Sequence, residues 1–159
     1  MEDNNGKFRV YTLSNRCLIE KFSNKCLPAK CGKDQKYWEG SCYYFQRTIK
    51  MTWYYARKNC SKQTMTLISL ETEREYEFVK KSYFQDKKFP VLIGLTDENQ
   101  EGEFYWEGTG KILGSFTSWQ PGEPNNQGLR ENQVHINING WNDIDKNLPS
   151  YWVCEKILI

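Results

Sequence analysis

The chain has 159 residues, with 22 basic and 20 acidic side chains and a formal net charge of +2. This length fits one ordinary domain, and the near-neutral charge excludes the clearly basic face that nucleic-acid binding requires. Aromatic residues make up 15% of the chain, which argues against intrinsic disorder. No stretch approaches the roughly 18 apolar residues that span a bilayer, and the N-terminal segment lacks the apolar run of a signal peptide.

The cysteines indicate the cellular compartment. Six are present at wide, uneven spacing, without the CxxC pairs of zinc ribbons. An even number at such spacing favours disulfides formed in an oxidising compartment over the alternative of buried, reduced thiols. The single histidine excludes zinc sites rich in histidine. We therefore expect an ectodomain whose targeting or anchoring segment lies outside this chain.

The first 30 residues differ from the rest of the chain. Residues 1–30 are polar and contain almost no glycine, so we interpret them as a neck or leader segment. From residue 31 onward the composition is that of a globular domain. Aromatic runs at 37–38 and 42–45 flank a Glu-Gly-Ser turn, which predicts a hairpin. Cys31 and Cys42 lie at the two ends of this hairpin and could close it.

Two helices are predicted next. The first spans 52–62, where three residues recur at helical spacing and form one apolar face. They are Trp53, Ala56 and Cys60. The second begins at Thr72, because Glu75 three residues later completes a capping box, and it runs to about Ser82. The glutamates of this second helix are expected to face solvent.

Short apolar or alternating runs predict strands. Those at 91–95 and 104–106 are bounded by polar or turn-forming residues. Two more, at 134–138 and 151–154, are expected to end the chain. His135 alternates outward from the first of these two, so we expect it to be an exposed edge residue without a catalytic role.

Oxygen-bearing side chains are concentrated around a segment, 108–140, that is rich in glycine and proline and is predicted to be mostly loop. A loop this long is functional or else a mistaken assignment. The side chains in question are Glu123, Asn125, Asn126, Glu131, Asn132, Asn142 and Asp143. Calcium takes roughly six to eight oxygen ligands from such groups. The alternative, that Asn and Asp only cap turns, does not account for two glutamates near a proline-rich turn, so a cation site is favoured.

These motifs resemble those of the C-type lectin-like domain. They are WQPGEPNN at 119–126, EN at 131–132, WND at 141–143 and WVCE at 152–155. The resemblance covers about 31–157 and is closest to the mannose-type (EPN/WND) calcium-dependent immune receptors. It implies an α+β fold with two helices, small antiparallel sheets and a long calcium-binding loop, and it makes 31–157 a carbohydrate-recognition domain.

The resemblance also implies two calcium sites. The principal site would bind both calcium and carbohydrate through Glu123, Asn125, Glu131, Asn142 and Asp143, and the Glu123–Pro124 bond beside it would be cis. A weaker auxiliary site would use Asp97, Glu101, Asn126 and Asn132. The last of these is an amide where the family usually has a carboxylate, and calcium affinity depends on ligand charge.

The resemblance extends to the disulfides. The pairs it implies are Cys31–Cys42 and Cys60–Cys154. Cys17 and Cys26 are left open, either paired together or linked to another chain. The family's loop disulfide is absent, since its two positions hold Gln133 and Lys146. Its loss predicts that the loop depends more strongly on calcium for its order.

The resulting hypothesis is calcium-dependent binding of mannose-, fucose- or N-acetylglucosamine-type glycans by the ectodomain of a cell-surface immune receptor. The protein would lie on the extracellular face of the plasma membrane or be secreted. It is predicted not to be an enzyme and to bind glycans or glycoproteins but no nucleic acid. The neck could form a homodimer, and the full-length protein would be anchored in a membrane outside this chain. The alternative is a natural-killer-type receptor domain of the same fold that binds a protein ligand without calcium.

Overall fold

The computed structural model describes residues 31–85 and 89–158, together with the backbone of residues 11–14, 17–20 and 26–28. The chain divides into two compact units, Met1–Cys42 with Ile157–Ile159 and Tyr43–Lys156. Across the described ranges, no helix has the length and apolar character needed to cross a membrane. The strands are β1 (Tyr11–Ser14), β2 (Cys17–Glu20), β3 (Cys26–Pro28), β4 (Gln35–Trp38), β5 (Ser41–Met51), β6 (Thr66–Leu67), β7 (Val91–Thr96), β8 (Tyr105–Trp106), β9 (Glu131–Asn137), β10 (Gly140–Asp145) and β11 (Ser150–Ile157). The helices are α1 (Trp53–Lys62) and α2 (Glu73–Tyr83).

The first unit contains a small antiparallel sheet and the start of a hairpin. Strands β1, β2 and β3 pair in that order. The predicted hairpin forms between β4 and the beginning of β5, through a turn in which Glu39 and Gly40 both have positive φ. Cys31 and Cys42 form a disulfide, as the sequence suggested. The side chains of Cys17 and Cys26 lie outside the described residues, and the assignment of 1–30 as a neck stays a prediction.

The second unit is built around a mixed sheet in the order β10-β9-β7-β11-β5, with β6 paired to β11 and β8 to β7. Strands β7 and β11 run parallel, whereas β9 pairs antiparallel with both β7 and β10. All six residues of β7 are buried, which explains its uninterrupted apolar sequence. This combination of two helices and a largely antiparallel sheet is the α+β fold that the sequence predicted.

Helix α1 packs on the sheet through the predicted face. Trp53, Ala56 and Cys60 are buried, and the indole N–H of Trp53 donates to the Ile93 carbonyl oxygen at 2.8 Å. The second disulfide joins Cys60 to Cys154 across 94 residues of sequence. Both pairs implied by the resemblance are therefore present, and Cys60–Cys154 fixes α1 to the last strand.

Helix α2 begins as predicted, but one of its glutamates does not face solvent. The Thr72 hydroxyl accepts from the Glu75 backbone N–H at 3.3 Å. The Glu75 carboxylate also accepts a hydrogen bond from the backbone N–H of Glu71, just before the helix. Glu75 is only 9% exposed and accepts a hydrogen bond from the Tyr43 hydroxyl at 2.7 Å. The expectation of a solvent-facing side chain is wrong for Glu75, because this face of α2 packs against the start of β5.

The C-terminal strands also differ from the prediction. His135 is 7% exposed, because β9 lies between β7 and β10 and is not an edge strand. Ile138 falls in the turn after β9 and is half exposed. Strand β10 was not predicted at all, and it places Asn142 and Asp143 on a strand instead of a loop.

Candidate functional site

The long loop between β8 and β9 is held against β10 by one carboxylate. Asp143 is 1% exposed, and its two oxygens accept from the backbone N–H groups of Asn125 at 3.0 Å and Asn126 at 2.8 Å. The Glu123–Pro124 peptide bond is cis, as the resemblance implied. The side chain of Asp143 therefore holds the backbone of the loop at the EPN segment (residues 123–125). The side chains of that segment stay available for other contacts.

A second set of hydrogen bonds connects this loop to the start of β9. The Glu131 carboxylate accepts from the Gln127 N–H at 2.8 Å, and the Glu131 N–H donates to the Asn126 side-chain oxygen at 3.1 Å. Asn126 adopts a left-handed conformation with φ 42°, which asparagine tolerates better than most residues. A short 3-10 helix, Gln127–Leu129, lies between these contacts. Glu131 is thereby held beside the EPN segment.

Glu123 has an oxygen atom that the protein itself does not satisfy. Oε1 accepts from the Asn125 side-chain amide at 2.9 Å, whereas Oε2 is buried without a hydrogen-bond partner among the described residues. Burial, followed by the nearby Asp143 carboxylate, raises the pKa of Glu123 to about 7. Burial also raises the pKa of Glu131. The carboxylates of Glu123, Glu131 and Asp143 therefore lie near one another.

Asn142 is the fifth residue of the predicted principal set. It is partly buried on β10, between Trp141 and Asp143, which are both buried, and it pairs in register with His135. Burial lowers the pKa of His135 to about 4, so this imidazole adds no positive charge beside the site near neutral pH. The structure therefore places all five predicted residues on the β10 strand, the start of β9 and the loop that Asp143 holds.

The predicted auxiliary set lies around the end of β7. Asp97 is buried, its N–H donates to the Asn132 carbonyl oxygen at 3.1 Å, and its Oδ2 accepts from the Gly102 N–H at 2.8 Å. Its Oδ1 is buried without a partner within the described chain. Burial raises the pKa of Asp97, opposed by the Gly102 N–H and assisted by the Glu101 and Asp143 carboxylates. Glu101 itself is exposed.

The acidic side chains do not by themselves form a closed metal cage. Among the described residues, no group of three or more His, Cys, Asp or Glu side chains is arranged to hold a metal ion. In the structure the Glu131 carboxylate faces the Gln127 N–H, and that of Glu123 faces the Asn125 amide. The predicted principal set combines three carboxylates with two amides, and its oxygen chemistry suits a hard cation.

Aromatic side chains of β10 and of the long loop pack together and hold the loop on the sheet. Trp141 is fully buried and exchanges backbone hydrogen bonds with the loop, donating to the Ser118 oxygen at 2.7 Å and accepting from the Gln120 N–H at 2.9 Å. The Trp119 ring lies 5.6 Å from that of Trp141 in an edge-to-face arrangement. Gly140 precedes Trp141 because a Cβ there would lie 2.5 Å from the Ser118 oxygen. Trp141 belongs to the core and Trp119 is half-buried, and together they anchor the EPN segment to the sheet.

The fold and this loop define a domain of the C-type lectin class. Residues 49–156 match the family described as Lectin C-type domain, so the chain belongs to that family and carries a carbohydrate-recognition domain. Domains of this family bind carbohydrate and are not enzymes. The chain is 39% identical over 132 residues to hepatic lectin of Gallus gallus and 35% identical over 130 residues to C-type lectin domain family 4 member E of Mus musculus. These matches cover 80% and 79% of this chain but only 62% and 59% of the relatives.

Solved structures agree with this assignment. The cow carbohydrate-recognition domain of CD23, determined in the presence of a GlcNAc2Man3 oligosaccharide, is similar with a TM-score of 0.74 and 32% sequence identity, covering 82% of this chain and 98% of that one. The mouse scavenger receptor C-type lectin domain has a TM-score of 0.75 and 26% identity, covering 82% and 100%. The chain spans about six-tenths of the length of the first curated relatives, which include CD209 antigen-like protein D of Mus musculus.

Proposed function

We propose that this domain binds glycans in a calcium-dependent manner through the principal site. Calcium would be held by Glu123, Asn125, Glu131, Asn142 and Asp143. The observation that carries the proposal is the Glu123 Oε2 atom, which is buried and has no partner in the described part of the chain. A buried carboxylate oxygen without a partner is costly, and a cation bound beside it would remove that cost.

The donor set fits calcium in both charge and type. It offers three carboxylates and two amides, all oxygen donors of the kind that a hard cation prefers. When bound, calcium supplies a Lewis-acidic centre with open coordination positions for sugar hydroxyls. The unpartnered Oδ1 of Asp97 supports the auxiliary site in the same way, with Glu101, Asn126 and Asn132 as its other members. Because Asn132 brings no charge, we expect this second site to be the weaker.

The side chains of the principal site could distinguish hydroxyl orientation. A carboxylate such as Glu123 only accepts hydrogen bonds, whereas the amide of Asn125 can donate. Two neighbouring hydroxyls would each donate to a carboxylate and accept from an amide. The resemblance to the mannose-type members of the family implies that Glu-Pro-Asn goes with equatorial 3- and 4-hydroxyls, as in mannose, fucose and N-acetylglucosamine, and we propose the same preference here. The oligosaccharide named for the cow CD23 structure and the N-glycan named for murine dendritic cell inhibitory receptor 2 support this ligand class.

The biological setting is part of the same proposal. We place the domain in the ectodomain of a cell-surface immune receptor, or in a secreted protein, with any membrane anchor outside this chain. Residues 1–30 would act as a neck that allows a homodimer to form, since weak single sites gain avidity when several engage together. Electrophoresis with and without reducing agent tests a disulfide-linked dimer, and an unchanged monomer band would remove that version.

Retention on mannose-coupled resin tests the main proposal. The domain should bind the resin in calcium and elute with EDTA. Glu123→Gln should abolish retention, whereas Glu73→Gln, at an exposed position of α2, should not. Absence of retention on mannose, combined with no calcium-dependent binding to a glycan array, would contradict the proposal.

A calcium-independent protein ligand is the second candidate function. It is favoured by the absence of a closed acidic metal cluster among the described residues. Under this alternative, EDTA would leave ligand binding unaffected, and titration with calcium would neither release heat nor change the melting temperature. The effect of EDTA on ligand binding and the response to calcium titration therefore separate the two candidates.

A further inference from the structure

One asparagine of α1 lies in a sequence pattern that secreted proteins use for N-linked glycosylation. The acceptor pattern is asparagine, any residue except proline, and then serine or threonine. Asn59-Cys60-Ser61 is the one match to it in the 159 residues. Because so short a pattern also arises by chance, its use depends on two conditions. The segment must be accessible to the modifying enzyme during synthesis, and the folded domain must have room for the sugar.

The disulfide at the middle residue does not block modification, because it forms late. Cys60 is fully buried and bonded to Cys154, which lies 94 residues further along the chain. Since chains are synthesised at about 5–20 residues per second, Cys60 has no partner for roughly 5–20 s. The core that the inner face of α1 joins includes Leu92 and Trp152, which are also synthesised later. The acceptor segment is therefore open to a glycosyltransferase before the domain folds.

In the folded domain, the two residues beside Cys60 lie away from the core. Ser61 is exposed and Asn59 is half-buried. The side-chain oxygen of Asn59 accepts from the amide of Gln63, one turn later, at 3.2 Å. The amide nitrogen is the atom that carries the sugar, and it is not a buried atom without a partner. It therefore keeps access to solvent, and a sugar can project from it without displacing core residues.

An exposed tyrosine lies where the first sugar would be placed. Tyr55 is one turn before Asn59, on the same face of α1, and it is 60% exposed. Side chains on a helix lean toward its N-terminus, so a sugar attached to Asn59 extends over Tyr55. The Tyr55 ring contacts that of Tyr54 edge-to-face, with the centroids 5.8 Å apart. The C–H face of a sugar ring packed on Tyr55 would remove apolar surface from water, which is favourable.

We propose that Asn59 carries an N-linked glycan and that its first N-acetylglucosamine residue packs on Tyr55. The co-reactant is an oligosaccharide linked to a lipid diphosphate. The Asn59 amide nitrogen forms a bond to C1 of the reducing-end sugar, and the bond between C1 and the diphosphate oxygen breaks. The lipid diphosphate leaves, and the amide nitrogen gives one proton to a base of the transferase, without any oxidation or reduction.

This proposal is independent of the calcium-dependent sugar site. It requires only that the chain passes through the secretory pathway, where disulfides such as Cys60–Cys154 form. The glycan would be a covalent part of the protein and would be attached to α1, whereas the ligand of the principal site would be bound reversibly at β9, β10 and the long loop.

Intact mass measures the modification. The full chain, secreted from mammalian cells behind a cleavable signal, should be heavier than its polypeptide by one N-glycan. Peptide-N-glycosidase F should remove this excess mass and leave aspartate at position 59. Asn59→Gln and Ser61→Ala should each lack the excess mass. Ser61→Thr, which keeps the acceptor pattern, and Asn147→Gln, at an exposed asparagine outside it, should both carry it.

Thermal unfolding tests the contact with Tyr55. Enzymatic removal of the glycan should lower the melting temperature of the parent by about 2–4 °C, the shift that an aromatic contact of ordinary strength gives in a domain of this size. In Tyr55→Ala, the same treatment should lower it by less than about 1 °C. Deglycosylation changes asparagine to aspartate in both proteins, so this change cancels in the comparison.

The outcomes separate the parts of the proposal. A secreted, disulfide-bonded parent whose mass equals that of its polypeptide overturns it, and so does excess mass that Asn59→Gln retains. Ser61→Ala repeats the second test from an exposed position if Asn59→Gln is not secreted. Equal shifts in melting temperature for the parent and Tyr55→Ala overturn the packing on Tyr55. Loss of calcium-dependent sugar binding by a glycosylated parent contradicts only the proposed function.

Discussion

The Tyr43 hydroxyl donates a 2.7 Å hydrogen bond to the carboxylate of Glu75, across 32 residues of sequence and inside the domain. Burial, with the Glu155 carboxylate as the next contributor, raises the pKa of Glu75 to about 7 from its ordinary 4.5. Glu155 is itself buried and accepts from the Ser69 N–H at 3.3 Å. Two acidic side chains therefore share an interior region, and the folded state favours the protonated form of Glu75.

This arrangement predicts a pH-dependent stability that Glu75→Gln should remove. Because the pKa of Glu75 is raised in the folded state, its contribution to the free energy of unfolding is fully present below about pH 4.5 and is lost as the pH rises to about 7. At about 1.4 kcal/mol per pKa unit, the parent should lose up to about 3 kcal/mol of stability relative to the variant between pH 4.5 and pH 8. Denaturant unfolding at several pH values measures this difference.

The control is Glu73→Gln, which changes an exposed glutamate of the same helix. It should leave the pH dependence of the free energy of unfolding as it is in the parent. If the difference between Glu75→Gln and the parent is the same at pH 5 and pH 8, Glu75 is ionised at both values and the interpretation is wrong.

The elements that sequence predicted best are those with strong local signals. The spacing of Trp53, Ala56 and Cys60 determines the buried face of α1, and Thr72 caps α2 by a contact only three residues away. Strand β10 lacks such a signal, because its polar residues Asn142 and Asp143 resemble a ligand-bearing loop. Its formation depends on pairing with β9, which periodicity within one segment does not report.

The errors at Glu75 and His135 have one physical cause. Charged and polar residues are mostly exposed, so a single sequence favours the surface for both. Their burial depends on partners distant in sequence. Glu75 accepts a hydrogen bond from Tyr43, and His135 pairs with Leu92 in the β7–β9 register. In the candidate site, the motif identified the residues, but it did not reveal that Asp143 holds the loop through backbone N–H groups.

The two disulfides should differ in their effect on stability. Cys60–Cys154 closes a loop of 94 residues and Cys31–Cys42 one of 11. In the chain-entropy treatment these correspond to about 4.7 and about 2.8 kcal/mol. Replacing both cysteines of a pair by alanine avoids an orphan thiol. Urea unfolding should show the larger loss for Cys60→Ala with Cys154→Ala, and the reverse order would contradict the entropic account.

Calcium should protect the loop from proteolysis, because no disulfide joins positions 133 and 146. Arg130 is exposed and lies between the proposed ligands Asn125 and Glu131, so trypsin cleavage there reports opening of the loop. At a calcium concentration 100 times its Kd, cleavage should slow by about a hundredfold. Cleavage at Lys62, at the end of α1, is the internal control. Equal protection at both positions would indicate a global effect, and no protection at Arg130 would argue against binding at the principal site.

Exchanging the donor and acceptor pattern of the EPN segment should change sugar preference. In Glu123→Gln with Asn125→Asp, an amide replaces a carboxylate at one position and a carboxylate replaces an amide at the other, so the total charge is kept. The two hydroxyls that the site accepts must then present the opposite pattern of donors and acceptors. Competition by methyl α-mannoside should weaken by about tenfold or more, as the loss of two charge-assisted hydrogen bonds would give, while competition by methyl β-galactoside should strengthen. Calcium binding should persist, because the oxygen donors remain, and its loss would show that the variant fails for a reason other than sugar recognition. Unchanged preference for mannose, with calcium bound, would exclude these two side chains as the source of specificity.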